Sequence, residues 1–123
     1  MKILFTVLAL VICSTGIFSQ GKNFHAYGTE PFWNADISSK GINIDLGSEK
    51  TLIYNYSAPQ NANGVPDGNI GIIYLDKEKG YFILFEKSSC GCTDGMSDKT
   101  QPYSVFMSVS GVLYTGCGYY SDK

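Results

Sequence analysis

Two cysteines separated by one glycine, Cys90-Gly-Cys92, run directly into Thr93-Asp94-Gly95-Met96-Ser97-Asp98, and a third cysteine, Cys117, follows after two short apolar stretches. Thiolates can form a disulfide, exchange with one, or hold a soft metal ion. Each chemistry makes its own demand on spacing. A bridge between Cys90 and Cys92 would be a strained ring, so one of them pairs with Cys117 and closes a loop of about 25 residues. In the chain-entropy account such a bridge contributes roughly 3 kcal/mol, a large share of a small domain's stability. We take Cys92–Cys117 ahead of Cys90–Cys117, which leaves Cys90 as a spare thiol.

A sharper reading gathers Cys90, Cys92, Met96 and the lone His25 around a soft ion such as Cu(I). His25 is distant in sequence and the bridge would consume a thiolate, so no metal and no cofactor is assigned. The carboxylates Asp94 and Asp98 stand four residues apart with a hydroxyl between them. Calcium loops need more oxygens at alternating positions than this segment carries. Acid–base work needs a buried carboxylate and a positioned partner. A turn needs neither: Asp94-Gly95 bends the chain, Asp94 and Ser97 bond to backbone amides, and Asp98 caps the end. No catalytic residue is assigned. Asp94, Met96, Ser97 and Asp98 form the first candidate binding surface.

The second unusual string is Tyr27-Gly-Thr-Glu-Pro-Phe-Trp33. Pro31 restricts Glu30 to extended conformations. Trp33, the only tryptophan, plugs one end of the core, and Glu30 beside it is a candidate buried partner for backbone amides or a lysine. Glu30 and Trp33 complete the set of candidate binding residues.

The elements that must position these side chains are strands. Trp33, Ala35 and Ile37 alternate with polar residues, as do Ile42, Ile44 and Leu46, with Ser39-Lys-Gly41 as the hairpin turn. Leu52, Tyr54 and Tyr56 continue the alternation, and Ile70–Leu75 and Tyr81–Phe85 are short apolar runs. Tyr103, Val105, Met107 and Val109 alternate with serines and Phe106 before Ser110-Gly111 turns the chain into Val112–Cys117. No window after the first residues carries a helical period. About seven or eight short antiparallel strands imply an all-β domain, a small barrel or sandwich with one disulfide, and closure into a barrel would remove exposed edges. The polar segment 57–68, rich in glycine and proline, is too long for a simple hairpin and is a second candidate loop for function.

The chain opens with Met1-Lys2, an apolar run from Ile3 to Ile12 and small residues before Gln20, the pattern of a secretory signal peptide over residues 1–19. A single domain over 20–123 then works outside the cytoplasm, periplasmic or secreted, where disulfides persist. Lipidation at Cys13 is the one route to a membrane anchor, but the branched Ile12 stands where a lipoprotein signal needs a small residue. The net charge is −2, and every basic residue outside histidine is lysine. Without arginine or a basic patch, nucleic acid is not a partner.

The Gly-Thr-Glu-Pro-Phe-Trp string, the Cys-Thr-Asp-Gly-Met-Ser-Asp string and a closing Gly116-Cys117 resemble a family of small exported bacterial proteins and lipoproteins, mostly uncharacterised and sometimes joined to META-type domains. The resemblance spans about residues 26–118. It implies that Glu30, Trp33, Cys92, Asp94, Gly95, Met96, Ser97, Asp98 and Cys117 occupy the family's pattern positions, and it supports Cys92 as the partner of Cys117. The family brings no established activity. The reading is therefore a non-enzymatic envelope or secreted module that binds a protein, glycan or small molecule through the acidic turn and the 57–68 loop. A copper or redox protein is the alternative, and a carboxylate-dependent hydrolase using Asp94 or Asp98 ranks last.

Overall fold

The computed structural model describes residues 23–47, 51–96 and 98–121. Residues 1–19, read above as a signal peptide and containing Cys13, lie outside the described residues, as does Ser97. The described residues form nine strands, in order: β1 (Asn23–Thr29), β2 (Phe32–Ser38), β3 (Gly41–Asp45), β4 (Thr51–Tyr54), β5 (Gln60–Asn61), β6 (Ile70–Asp76), β7 (Tyr81–Thr93), β8 (Thr100–Val109) and β9 (Val112–Ser121). Among the described residues there is no helix. All pairings are antiparallel, in one sheet of order β4-β3-β2-β1-β9-β8-β7-β6-β5. The first and last strands therefore pair at the middle of the sheet.

Alternation decides which face is buried. Phe24 and Ala26 of β1, Trp33, Ala35 and Ile37 of β2, and Ile42 and Ile44 of β3 turn inward. So do Ile73 of β6, Ile83 and Phe85 of β7, and Tyr103, Val105, Met107 and Val109 of β8. These residues form one cluster although they come from both halves of the sheet. A flat sheet could not bring β3 and β6 into one core, so the sheet curls into a half-barrel. The two ends of the curl approach one another. The Tyr54 phenol on β4 is raised above its ordinary value by burial, then by Tyr81 and Asp76 from the opposite end.

Aromatic packing fills the interior. Phe24 lies 5.4 Å from Phe85, 5.7 Å from Tyr103 and 4.9 Å from Tyr120, ring centre to ring centre. Tilted and edge-on arrangements like these suit the ring quadrupoles. Tyr103 reaches through this cluster to donate its hydroxyl proton to the Gly68 carbonyl at 3.1 Å. That bond ties the 57–68 segment to the core. The segment is also held by its own bonds, Gly68 N–H to Asn61 Oδ1 at 3.0 Å and Asn69 N–H to the Pro66 carbonyl at 3.1 Å.

The all-β antiparallel architecture is thus the expected one. The sequence reading expects seven or eight strands; the two beyond the seven segments it delimits are β1 and the two-residue β5 inside the 57–68 segment. β7 also runs on to Thr93, well past the apolar run at its start.

Candidate functional site

The site is built by the far end of β7. As far as Lys87, which faces Tyr103, β7 and β8 pair residue for residue. Pairing resumes at Cys92↔Gln101, so five residue steps on β7 answer two on β8. The surplus forms a bulge, and bulges bend the strand that carries them. Gly91 sits at the bend with φ +81°, and a Cβ there would lie 2.8 Å from Thr100 Cβ. A side chain at this position meets both a disfavoured backbone region and a steric wall. Glycine between the two cysteines is therefore what allows the arm Cys92–Asp94 to fold across the outer face of the sheet.

The arm is fastened by Cys92–Cys117, with Cα atoms 5.6 Å apart. Cys117 pairs with Tyr27 of β1 on one side and Ser104 of β8 on the other. It points to the outer face because its neighbours Gly116 and Gly118 occupy the inner one, where a Cβ on Gly118 would meet Phe24 Cζ at 2.7 Å. With the arm above it, Cys117 is only 1% exposed although it faces away from the core. Among the described residues Cys90 is the free thiol, and it is exposed.

Between arm and sheet lies a half-open cavity of about 310 Å³. Tyr27, Thr29 and Glu30 form one wall, Cys92, Thr93 and Asp94 the roof, and Ser104, Phe106 and Thr115 the floor. Hydroxyls at the rim fix its shape. Thr29 Oγ1 donates to the Asp94 carbonyl at 3.4 Å, and Thr93 Oγ1 accepts from Gly95 N–H at 3.0 Å. Asp94 Oδ1 accepts from Met96 N–H at 2.8 Å, the backbone bond that an aspartate in a turn is suited to make.

Trp33 anchors the floor from the core side. It is fully buried, and its indole N–H donates to the Thr115 carbonyl at 3.0 Å. The indole fits because Gly28 and Gly116 lack side chains. A Cβ on Gly28 would press into Trp33 Nε1, with Trp33 Cδ1 at 2.7 Å. Trp33 therefore sets the position of β9 and does not line the cavity.

The residues singled out in the sequence separate into groups. Glu30 and Asp94 line the cavity from opposite sides. Glu30 is exposed rather than buried, because Glu30-Pro31 forms the two-residue turn of the β1–β2 hairpin, where Thr29 pairs with Phe32. Met96 is 77% exposed and Asp98 is exposed, and neither lines the cavity. Sequence reasoning missed Tyr27, Thr29, Ser104, Phe106 and Thr115. The outward positions of β8 and β9, alternating with the apolar ones, carried that signal. The 57–68 loop is not part of this cavity; Gln60, Asn61 and Ala62 border a smaller one of about 230 Å³ with Ile70, Ile72 and Leu84.

The copper reading does not find its ligands together. Cys92 is consumed by the disulfide, and His25 is engaged with Asp36 and Ser121. Among the described residues no group of three or more His, Cys, Asp or Glu could hold a metal ion. What the cavity offers is a pocket at the lower end of ligand-site volumes, with hydroxyls, two carboxylates and aromatic surface. Compared with protein-family models, curated proteins and solved structures, the chain matches none.

Proposed function

We propose that this protein is an exported binding module that holds its ligand in the cavity between the Glu30 turn and the Cys92–Asp94 arm. The observation that carries the reading is the 310 Å³ opening itself, roofed by a disulfide-fastened arm instead of being filled by side chains. A cross-link over an outer face adds little to core packing. It does pre-organise the rim, and rigid rims lower the ordering cost of binding. A disulfide fits an oxidising compartment, and the 1–19 segment reads as the signal that delivers the chain there. The ligand is a small polar molecule, a sugar unit or one side chain of a protein partner; the volume excludes anything larger from full burial. The resemblance to the exported GTEPFW-containing family belongs to the same proposal.

Capture of envelope and secreted material by immobilised wild type, Asp94→Ala and Ser104→Leu tests it. Ser104→Leu fills the floor, whereas Asp94→Ala removes a carboxylate from the roof. One partner retained by wild type and reduced at least about tenfold by both substitutions, equivalent to roughly 1.4 kcal/mol, supports the reading. Equal capture by all three proteins overturns it.

A further inference from the structure

The outer face of the sheet carries a second constellation, none of whose members lines the cavity. His25 of β1 stands between Asp36 of β2, its direct register partner, and Ser121 at the end of β9. Its Nδ1 bonds Asp36 Oδ1, and its Nε2 lies 2.9 Å from Ser121 Oγ. The ring packs on Tyr119, its partner on β9, with centres 5.2 Å apart and planes at 32°. The two strands that flank β1 thus hold one imidazole through three contacts.

From these contacts we infer that Asp36, His25 and Ser121 form an acyl-transfer site with Ser121 as nucleophile, accepting short acyl groups from activated carboxylic esters. The proton arrangement follows from the carboxylate. An ionised Asp36 can only accept, so Nδ1 carries the hydrogen of that bond. A neutral ring then has its lone pair on Nε2, and the Ser121 hydroxyl donates to it. This is the orientation that general-base activation of a serine requires: nucleophile and base within hydrogen-bond reach, and the base held by a third group. Such a trio is recognised by geometry and roles, not by order along the chain.

The step balances without a further reactant. Ser121 Oγ attacks the ester carbonyl carbon as its proton passes to His25 Nε2, while Asp36 stabilises the imidazolium. The tetrahedral adduct collapses, the bond to the alkoxide breaks, and the leaving alcohol takes the proton from Nε2. Water, activated by the same nitrogen, then releases the acid and restores Ser121. The Asp36 side chain is 58% exposed and that of His25 27% exposed, so the ester meets the serine at the surface. That suits an acetyl-sized group and a good leaving group, not a long acyl chain.

Incubation of the mature protein with p-nitrophenyl acetate, followed by peptide mass spectrometry, tests the assignment. The expected result is an acetyl group on Ser121 that forms at least about 100-fold more slowly in His25→Ala, the lower range for a general base. His25→Gln keeps a hydrogen-bonding side chain without a base and should be as slow, with a melting temperature matching wild type. Asp36→Asn should slow acetylation at least about tenfold, since an amide no longer fixes the tautomer. Acetylation confined to lysines or Tyr119, or Ser121 acetylated equally fast in His25→Gln, overturns the proposal.

Discussion

Gly116→Ala probes the packing beneath the cavity with the smallest possible change. The backbone at Gly116 is outside the left-handed region, so alanine is conformationally acceptable and only space is tested. The added Cβ would press into the Tyr27 carbonyl oxygen, with the carbonyl carbon at 2.7 Å and Trp33 Cζ2 at 3.0 Å. Neither neighbour is a flexible side-chain tip. Relief requires β1 and β9 to part or the indole to shift, and overpacking of this kind costs about 1–3 kcal/mol, with backbone contact placing it at the upper end. Displacing the indole also weakens its 3.0 Å bond to the Thr115 carbonyl, roughly 1 kcal/mol more. Alanine restricts the unfolded chain and returns about 0.4–1 kcal/mol. The net expectation is a loss of about 3 kcal/mol, or a melting temperature lower by roughly 12–24 °C for a domain of this size. Urea titration followed by fluorescence of Trp33, the only tryptophan, measures both stability and the indole's environment. A loss below about 1 kcal/mol with unchanged emission would refute the argument.

Three further outcomes are expected. Cys117→Ser, which removes a cross-link across a sequence separation of 25, should lower stability by roughly 3 kcal/mol in chemical denaturation, and an unchanged midpoint would count against a structural bridge. Phe24→Ala should cost about 3–5 kcal/mol in the same assay, because its ring touches Phe85, Tyr103 and Tyr120 at once. Stability should also fall in strong alkali. Burial raises the phenols of Tyr54, Tyr103 and Tyr120 above the ordinary 10.0, with Tyr103 and Tyr56 adding to the rise at Tyr120. A raised folded value means the contribution is whole below about 10 and disappears as pH climbs through the folded values. Melting curves between pH 8 and pH 11.5, at fixed salt, check that direction.

The period-two alternation at Trp33–Ile37, Ile42–Leu46 and Tyr103–Val109 made most of the sheet legible, because apolar residues there face a single core. β1 escaped because its inward positions are Phe24, Ala26 and Gly28, and only the first is large. Gly28 makes room for the Trp33 indole of the next strand, a tertiary requirement with no local trace. The extension of β7 escaped for the opposite reason: Glu86 to Thr93 is polar and contains the bulge, so alternation is lost where the arm leaves the sheet. That Cys117 bridges one of Cys90 and Cys92 was readable from their spacing, since a ring between those two would be strained; the family resemblance supported Cys92 as the partner. That the bridge would roof a cavity was not, since Ser104 and Thr115 carry no motif and are brought together only by β8–β9 register. The His25 constellation was invisible for the same reason, with 96 residues separating His25 from Ser121.

Mapping Cys90, Cys92 and Cys117 in the purified protein tests the arm directly. Alkylation before reduction, then peptide mass spectrometry, should show Cys92 joined to Cys117 and the alkyl group on Cys90 alone. A cross-link from Cys90 to Cys117, or alkylation of all three thiols, would mean that nothing holds the β7 arm over the outer face, and the cavity would go with it.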